Sequence, residues 1–367
     1  MARPPARTVA PSTNWQKAPL LADTDSCLVV GPQWLGDAVM AQPLLADLAR
    51  RGPVDVLSLA ALAPVYQAMP GVRRVWPVEW TRGKLEWSAR RALAQTLRSE
   101  AYPRAVVCPN SWKAALVPWM AGIPKRRGLR GEWRLGLLND IRRPQADTAH
   151  GPSQPAQYAA LADTPESALR AAPALHAPTA PAQAERPETA HTDAANLPGL
   201  LVICPGAAYG PAKQWPAEHF AAVATDWLEH GGRVAILGTG ADRDTQAVIA
   251  GRIPVALQAR LEQRAGDTSL VQAMAILSDA QAVVSNDSGL MHVAAALGRP
   301  VIGIYGSTDP QHTPARGPSV SLVSAGLGCS PCFQRTCPLQ TTACLKDIAP
   351  ERILQLLPPR NPGPHPK

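Results

Sequence analysis

Three short segments of this chain bring together residue types that can do chemistry. From Gly31 to Asp37 (GPQWLGD) the chain passes from an apolar run into a helix-period pattern. Its glycines let backbone approach a ligand, and Asp37 arrives at the helix start, where a carboxylate serves either as a general base or as an ordinary N-cap. The segment has neither the G-x-G-x-x-G spacing of a dinucleotide loop nor the Lys-Ser/Thr of a P-loop. From Cys204 to Pro216 (CPGAAYGPAKQWP) one cation, Lys213, sits just ahead of a helix. A cation is misplaced at the positive end of a helix dipole, so Lys213 is expected to share an anion with helix N–H groups; the plain alternative is a solvated loop lysine. From Asn286 to His292 (NDSGLMH), Asp287, Ser288 and Gly289 open a helix after a strand, so amides, a hydroxyl and the positive dipole end converge as an anion site. His292 lies three residues past Gly289 on the same helix face, either as a further donor or as a core histidine. With Lys213 on a neighbouring loop, this set can hold a diphosphate without a metal. Asp242-Arg243-Asp244 also forms a D-x-D, but at a helix start, where acids are ordinary first-turn occupants.

These loops need elements to position them. Apolar runs bounded by turn residues alternate with helix-period segments, the signature of parallel βαβ units. In the first half the pattern predicts strands near 27–31, 54–59, 74–78 and 104–108, with helices near 38–51, 61–69, 85–100 and 111–121; Arg-rich turns over 122–143 end that half. A second alternation predicts strands at 200–204, 233–237, 281–285 and 300–304 and helices at 216–229, 241–251, 268–278 and 289–297. Gly231 and Gly298 fall just past helix ends, as C-terminal glycines do. Two doubly wound α/β domains follow, and in such sheets ligands bind at the carboxyl ends of strands. Each of the three segments lies at such an end.

Between Pro144 and Pro198 composition turns to Pro, Ala, Thr and His, which reads as a linker with one short helix at 154–163. The expected organisation is a disordered N-terminal extension (1–26), a first domain (27–143), that linker (144–198), a second domain (199–348), and a C-terminal helix and tail (349–367). The 39 Pro among 367 residues are about twice the ordinary share and concentrate in these connecting parts. No apolar stretch reaches the ~18–20 residues of a spanning helix, and the N-terminus has no signal-peptide core, so a cytoplasmic location is expected.

Charge is uneven. Nine Lys and Arg between Arg104 and Arg143 face only Glu132 and Asp140, a net of +7 that nearly equals the formal +8 of the whole chain. With Trp112, Trp119 and Trp133 interleaved, the region suits a polyanion. Cys27, Cys108 and Cys204 sit in strand-like runs as small core residues. Cys329, Cys332, Cys337 and Cys344 form C-x2-C-x4-C-x6-C, which leaves structural zinc and reduced thiols both open.

The blocks GPQWLGDAVMAQPLLADL, PNSWKAALVPWMAGIPKRRGLRGEWRLGLLNDIR, CPGAAYGPAKQWP and VSNDSGLMHVAAALGRPVIGIYGSTDP, in this order over about residues 27–355, closely resemble ADP-heptose:lipopolysaccharide heptosyltransferases of glycosyltransferase family 9, most of all those acting second. The N-terminal extension, the linker and the Cys-rich loop depart from the pattern.

The resemblance implies a GT-B fold: two facing Rossmann-like domains with parallel sheets, acceptor on the first, ADP-sugar on the second, and a last helix returning to the first. It implies transfer of L-glycero-D-manno-heptose from ADP-heptose to the heptosylated inner core of lipopolysaccharide, with inversion, no cofactor and no metal. By motif position Asp37 becomes the general base, with Lys213 and His292 stabilising the departing diphosphate. Donor contacts are implied at Lys213, Asp242, Asp287, Ser288, Gly289 and His292. Acceptor contacts are implied at Gly36, Asn110, Ser111, Lys113, Arg126 and Arg130. The anionic inner core and lipid A suit the +7 region, and peripheral contact with the cytoplasmic face of the inner membrane is expected. The rivals are a first-step transferase acting on heptose-free Kdo-lipid A, a GT-B-like nucleotide-sugar epimerase needing further acid/base residues, and an RNA-binding protein using the basic, Trp-containing region. The last would leave Asp37 and the anion site without a task, and no RNP- or KH-like signature supports it, so no nucleic-acid partner is expected.

Overall fold

The computed structural model of this chain describes residues 25–81, 83–178 and 199–359. All but the last two residues of the expected N-terminal extension, and residues 179–198 of the expected linker, lie outside the described residues.

The first lobe contains β1 (Cys27–Val30), α1 (Leu35–Met40), α2 (Gln42–Ala49), β2 (Val54–Leu59), α3 (Ala63–Gln67), β3 (Val72–Val78), α4 (Trp87–Ser99), β4 (Arg104–Val107), α5 (Trp112–Met120), β5 (Lys125–Leu129) and β6 (Asp140–Arg142). The connecting segment adds α6 (Gln154–Ala159) and α7 (Pro165–Arg170). The second lobe contains β7 (Leu200–Cys204), α8 (Ala217–Glu229), β8 (Arg233–Ile236), α9 (Arg243–Arg252), β9 (Leu261–Gln263), α10 (Leu270–Ser278), β10 (Ala282–Asn286), α11 (Gly289–Ala296), β11 (Val301–Tyr305), β12 (Val320–Ser324), α12 (Ala343–Lys346) and α13 (Pro350–Leu354).

Each lobe has a six-stranded parallel sheet, ordered β3-β2-β1-β4-β5-β6 and β12-β11-β10-β7-β8-β9. Counted from each lobe's first strand these are one topology, 3-2-1-4-5-6. Strand order reverses between β1 and β4 and between β7 and β10, and at such a switch point the loops splay to leave a crevice. The central strands, such as CLVV and LLVIC, are buried along their whole length, because parallel sheets are covered on both faces. One buried apolar cluster runs from Val39 and Met40 of the first lobe through Tyr158 and Leu161 to Met291 and Val293 of the second.

Four expectations are corrected. The Arg-rich stretch 122–143 contains two strands, β5 and β6, in which Arg127 and Arg142 are paired with carboxylates. Arg127 Nε donates to Asp140 Oδ2 (2.8 Å), its Nη1 to Asp163 Oδ1 (2.8 Å), and Arg104 Nη1 to Asp163 Oδ2 (2.6 Å). Likewise, short β9 and edge strand β12 join the second sheet without having been legible as strands. The expected linker is structured through residue 178: α7 was not foreseen, and Tyr158, Leu161, Ala162, Ala168 and Leu175 are core residues. The backbone N–H of Leu175 donates to Ala296 O (2.9 Å) and that of Gln154 to His312 O (2.8 Å), so this segment also holds the second lobe. Finally, the last helix does not return to the first lobe: Ile353 of α13 is buried in the second lobe's own cluster with Phe220 and Trp227.

Candidate active site

α1 begins at Leu35 after Trp34, which caps it with backbone alone, so Asp37 is the third helical residue and not an N-cap. Its carboxylate is mostly buried, and burial raises it to about pKa 6. A hydrogen bond from the Tyr158 hydroxyl and the Lys213 ammonium pull it back down, while Asp287 pushes it up. Tyr158 belongs to α6 and the other two to the second lobe, so three parts of the chain meet at Asp37. Tyr158 itself is fixed by Gln154 Nε2, which donates to its hydroxyl (3.0 Å).

The lobes touch where α1 crosses α11. A Cβ on Gly36 would lie 2.9 Å from His292 Cδ2, and a Cβ on Gly289 would lie 2.7 Å from Leu35 Cβ. Gly36 and Gly289 are therefore the positions at which two helix starts can approach, and this approach carries Asp37 to the second lobe's loops.

Across the gap, Lys213 Nζ lies 2.6 Å from Asp287 Oδ2, and Thr308 Oγ1 donates to the same oxygen (2.7 Å). The sequence argument about Lys213 changes here: it ends a single turn of 3₁₀ helix, Pro211–Lys213, while α8 starts later, at Ala217. A cation is well placed at the end of a helical turn, so it is the ion pair with Asp287, and not a misfit, that marks Lys213. The loop carrying it is laced to β10: Asn286 Nδ2 donates to Pro205 O (2.6 Å), and Asn286 Oδ1 accepts from the Trp215 N–H (3.0 Å). Trp215 is buried and donates Nε1 to Ile348 O (2.9 Å).

Ser288 is the N-cap of α11, yet its side chain makes no capping bond; its hydroxyl instead lies 3.1 Å from Ser285 Oγ. The first amides of α11 thus face the gap without a side-chain cap and keep their capacity for an anion. Because the Lys213 charge is balanced by Asp287, those amides carry much of the attraction for a diphosphate. His292 is 4% exposed, and burial lowers it to about pKa 4 despite Asp287, whose Oδ1 is 3.9 Å from Nε2. It is a neutral imidazole at physiological pH. Asp242 is committed locally: Oδ2 accepts from the Thr239 N–H (2.7 Å) and hydroxyl (2.8 Å), closing a capping box.

On the first lobe a groove of about 210 Å³ lies beside α1, lined among others by Gln33, Trp34, Trp80, Lys84, Ser111 and Lys113. Arg126 does not face it freely: its guanidinium donates to Leu137 O (2.7 Å) and Ile123 O (2.6 Å). Asn110 Oδ1 accepts from Arg134 Nη2 (3.1 Å), and Arg130 is exposed at the end of β5. Of the nine cations counted in the sequence, Arg104, Lys113, Arg126, Arg127, Arg134 and Arg142 bond to protein groups. The region is consequently much less of an open basic face than its composition suggested. Sequence reasoning missed Tyr158, which lay in the segment read as linker, and Thr308, which follows the strand predicted at 300–304. Among the described residues, no group of three or more His, Cys, Asp and Glu is arranged to hold a metal ion, and none of the seven cysteines is in a disulfide. Burial raises Cys27 and Cys204 to about pKa 12, so they are inert thiols.

Two Rossmann-like lobes whose switch-point loops face one another, a carboxylate on one and an anion cradle on the other, define a GT-B glycosyltransferase. The family described as glycosyltransferase family 9 (heptosyltransferase) matches residues 90–343. The chain is 37% identical to lipopolysaccharide heptosyltransferase 2 of Escherichia coli K12, over 90% of this chain and 97% of the relative. It is 29% identical to lipopolysaccharide heptosyltransferase 1 of Pseudomonas aeruginosa, over 86% and 88%. The solved structure of Escherichia coli ADP-heptose LPS heptosyltransferase II superposes with a TM-score of 0.77 at 34% identity, covering 90% of this chain and 97% of that one. The chain belongs to glycosyltransferase family 9 and is a heptosyltransferase.

Proposed function

We propose that this protein transfers L-glycero-D-manno-heptose from ADP-heptose to the first heptose of the lipopolysaccharide inner core, inverting the anomeric centre. The observation that carries the mechanism is a buried carboxylate of raised proton affinity, Asp37, on α1 near the Lys213–Asp287 pair of the opposite lobe. Acceptor lies in the groove of Ser111 and Lys113, and the ADP-sugar lies on the second lobe. Asp37 takes the proton of the attacking hydroxyl as the new C–O bond forms on the face opposite the nucleotide, a contribution of about 10²–10⁴ in rate. The anomeric C–O bond to ADP breaks, and the negative charge that develops on the diphosphate meets the uncapped amides at Ser288 and Gly289, the remaining protons of Lys213, and neutral His292 as a hydrogen-bond donor. Asp287 orients Lys213, and Asp242 shapes the loop beside the nucleotide. No step requires a metal.

Among the described residues no helix is long and apolar enough to cross a membrane. Because the proposed acceptor is lipid-anchored, the proposal includes peripheral contact with the cytoplasmic face of the inner membrane. The test is to incubate the purified protein with ADP-heptose and either heptose-free or mono-heptosylated core acceptor while measuring ADP release. Turnover is expected with the mono-heptosylated acceptor. Turnover with heptose-free acceptor alone would make this the first transferase. Asp37→Asn should bind ADP normally while turnover falls about a hundredfold or more; unchanged kcat would remove Asp37 from the chemistry.

A further inference from the structure

We propose that the loop between β5 and β6 is a membrane-docking tip that seats this protein on an anionic bilayer with the acceptor groove at the lipid surface. The proposal rests on the reading of the acceptor as a lipid-anchored saccharide. Trp133 is 93% exposed and Leu135 83% exposed, while Arg134 between them is 2% exposed. The alternation is built in. The Arg134 guanidinium points inward, donating to Pro109 O (2.7 Å), to Asn110 Oδ1 (3.1 Å) and to Leu129 O. Because that buried cation pins the backbone, its two neighbours are held out in water, where large apolar side chains side by side mark a contact surface.

Charge says which surface. Arg130 and Arg143 are exposed at the carboxyl ends of neighbouring parallel strands and flank the tip, on which Glu132 is the single acid. A tryptophan, an aliphatic side chain and flanking arginines match an interface between lipid headgroups and acyl chains. Two side chains fall well short of the roughly 800 Å² per partner that a stable protein interface needs, which disfavours a second copy of this chain. The tip is also next to the site: Asn110, which accepts from Arg134, directly precedes Ser111 of the groove.

The experiment compares the full chain with its Trp133→Ser/Leu135→Ser variant in co-sedimentation with vesicles of phosphatidylcholine alone and of phosphatidylcholine with phosphatidylglycerol. The wild type should bind the anionic vesicles, less so as salt is raised, and the variant should bind them about tenfold more weakly or worse. With ADP-heptose, the variant should turn over a delipidated, water-soluble core acceptor as the wild type does and lose rate on vesicle-embedded acceptor. Equal vesicle binding by the two proteins overturns the proposal. So does a wild type that sediments as a dimer and a variant that sediments as a monomer, which would make the tip a self-association surface. Vesicle binding is read without turnover, so a wild type that docks yet transfers to neither acceptor would sink the proposed reaction and leave the docking tip standing.

Discussion

Asp37 is held at odds with its surroundings, and its cost and its use have one origin. Burial lifts its pKa from 3.8 to about 6, so between those values the folded protein keeps a proton that the unfolded chain releases. Folding stability therefore declines as pH rises through that window, and the penalty, on the order of 2–3 kcal/mol, persists above it. Asp37→Asn should accordingly melt at a higher temperature than the wild type near neutral pH while losing turnover, and the two should converge below about pH 4. The wild-type rate should show an acidic limb near pH 6, since protonated Asp37 is no base. Tyr158 stabilises the carboxylate by hydrogen bonding, so Tyr158→Phe should move that limb to higher pH and leave the alkaline plateau largely intact. A pH–rate profile separates this from simple damage, which would lower the plateau without moving the limb.

At the scale of elements, the site depends on how closely α1 can cross α11. Glycines at 36 and 289 set that distance, and the added methyl of Gly36→Ala would collide with His292. Overpacking of this kind costs about 1–3 kcal/mol. Here it should be relieved by parting the lobes, so each lobe keeps its fold and far-UV circular dichroism is unchanged. On the proposed mechanism, in which Asp37 and the cradle act on one carbon, kcat/KM should fall by about tenfold to a hundredfold. The same scale explains which elements could be read in advance. β1, β4, β7 and β10 are uninterrupted apolar runs because helices cover both their faces. β5, with the sequence KRRGL, is equally a strand, but the carboxylates that pair with its Arg127, Asp140 and Asp163, lie further along the chain, and no local pattern records that.

For the molecule as a whole, the connecting segment is as much a part of the first lobe as its strands are. Asp163, just before α7, is gripped by Arg104 and Arg127, and Asp47 accepts the N–H groups of Asp163 (2.7 Å) and Thr164 (3.1 Å). Burial by itself would raise the Asp163 carboxyl, but the two guanidiniums outweigh it and hold the group below the usual carboxylate range. A lowered pKa means stability that is present above the unfolded value of about 4 and fades as pH falls below it. Asp163→Asn, which leaves two mostly buried guanidiniums short of a counter-charge, should destabilise the protein by about 2–4 kcal/mol near neutral pH. Its denaturant midpoint should also change less on acidification than that of the wild type. Since α6 carries Tyr158, loosening this segment should lower turnover as well, through Asp37.

Two wound α/β halves and the loops at their strand ends were legible in the order of the residues, because apolar periodicity and turn chemistry act over a few neighbours. The reach of Asp37 across to Lys213, the partners that set its proton affinity, the internal bonding of six of the nine clustered cations and the folding of the connecting segment were not. Each depends on groups brought together from distant parts of the chain, and burial, ion pairing and close helix contact exist only once the two lobes have packed.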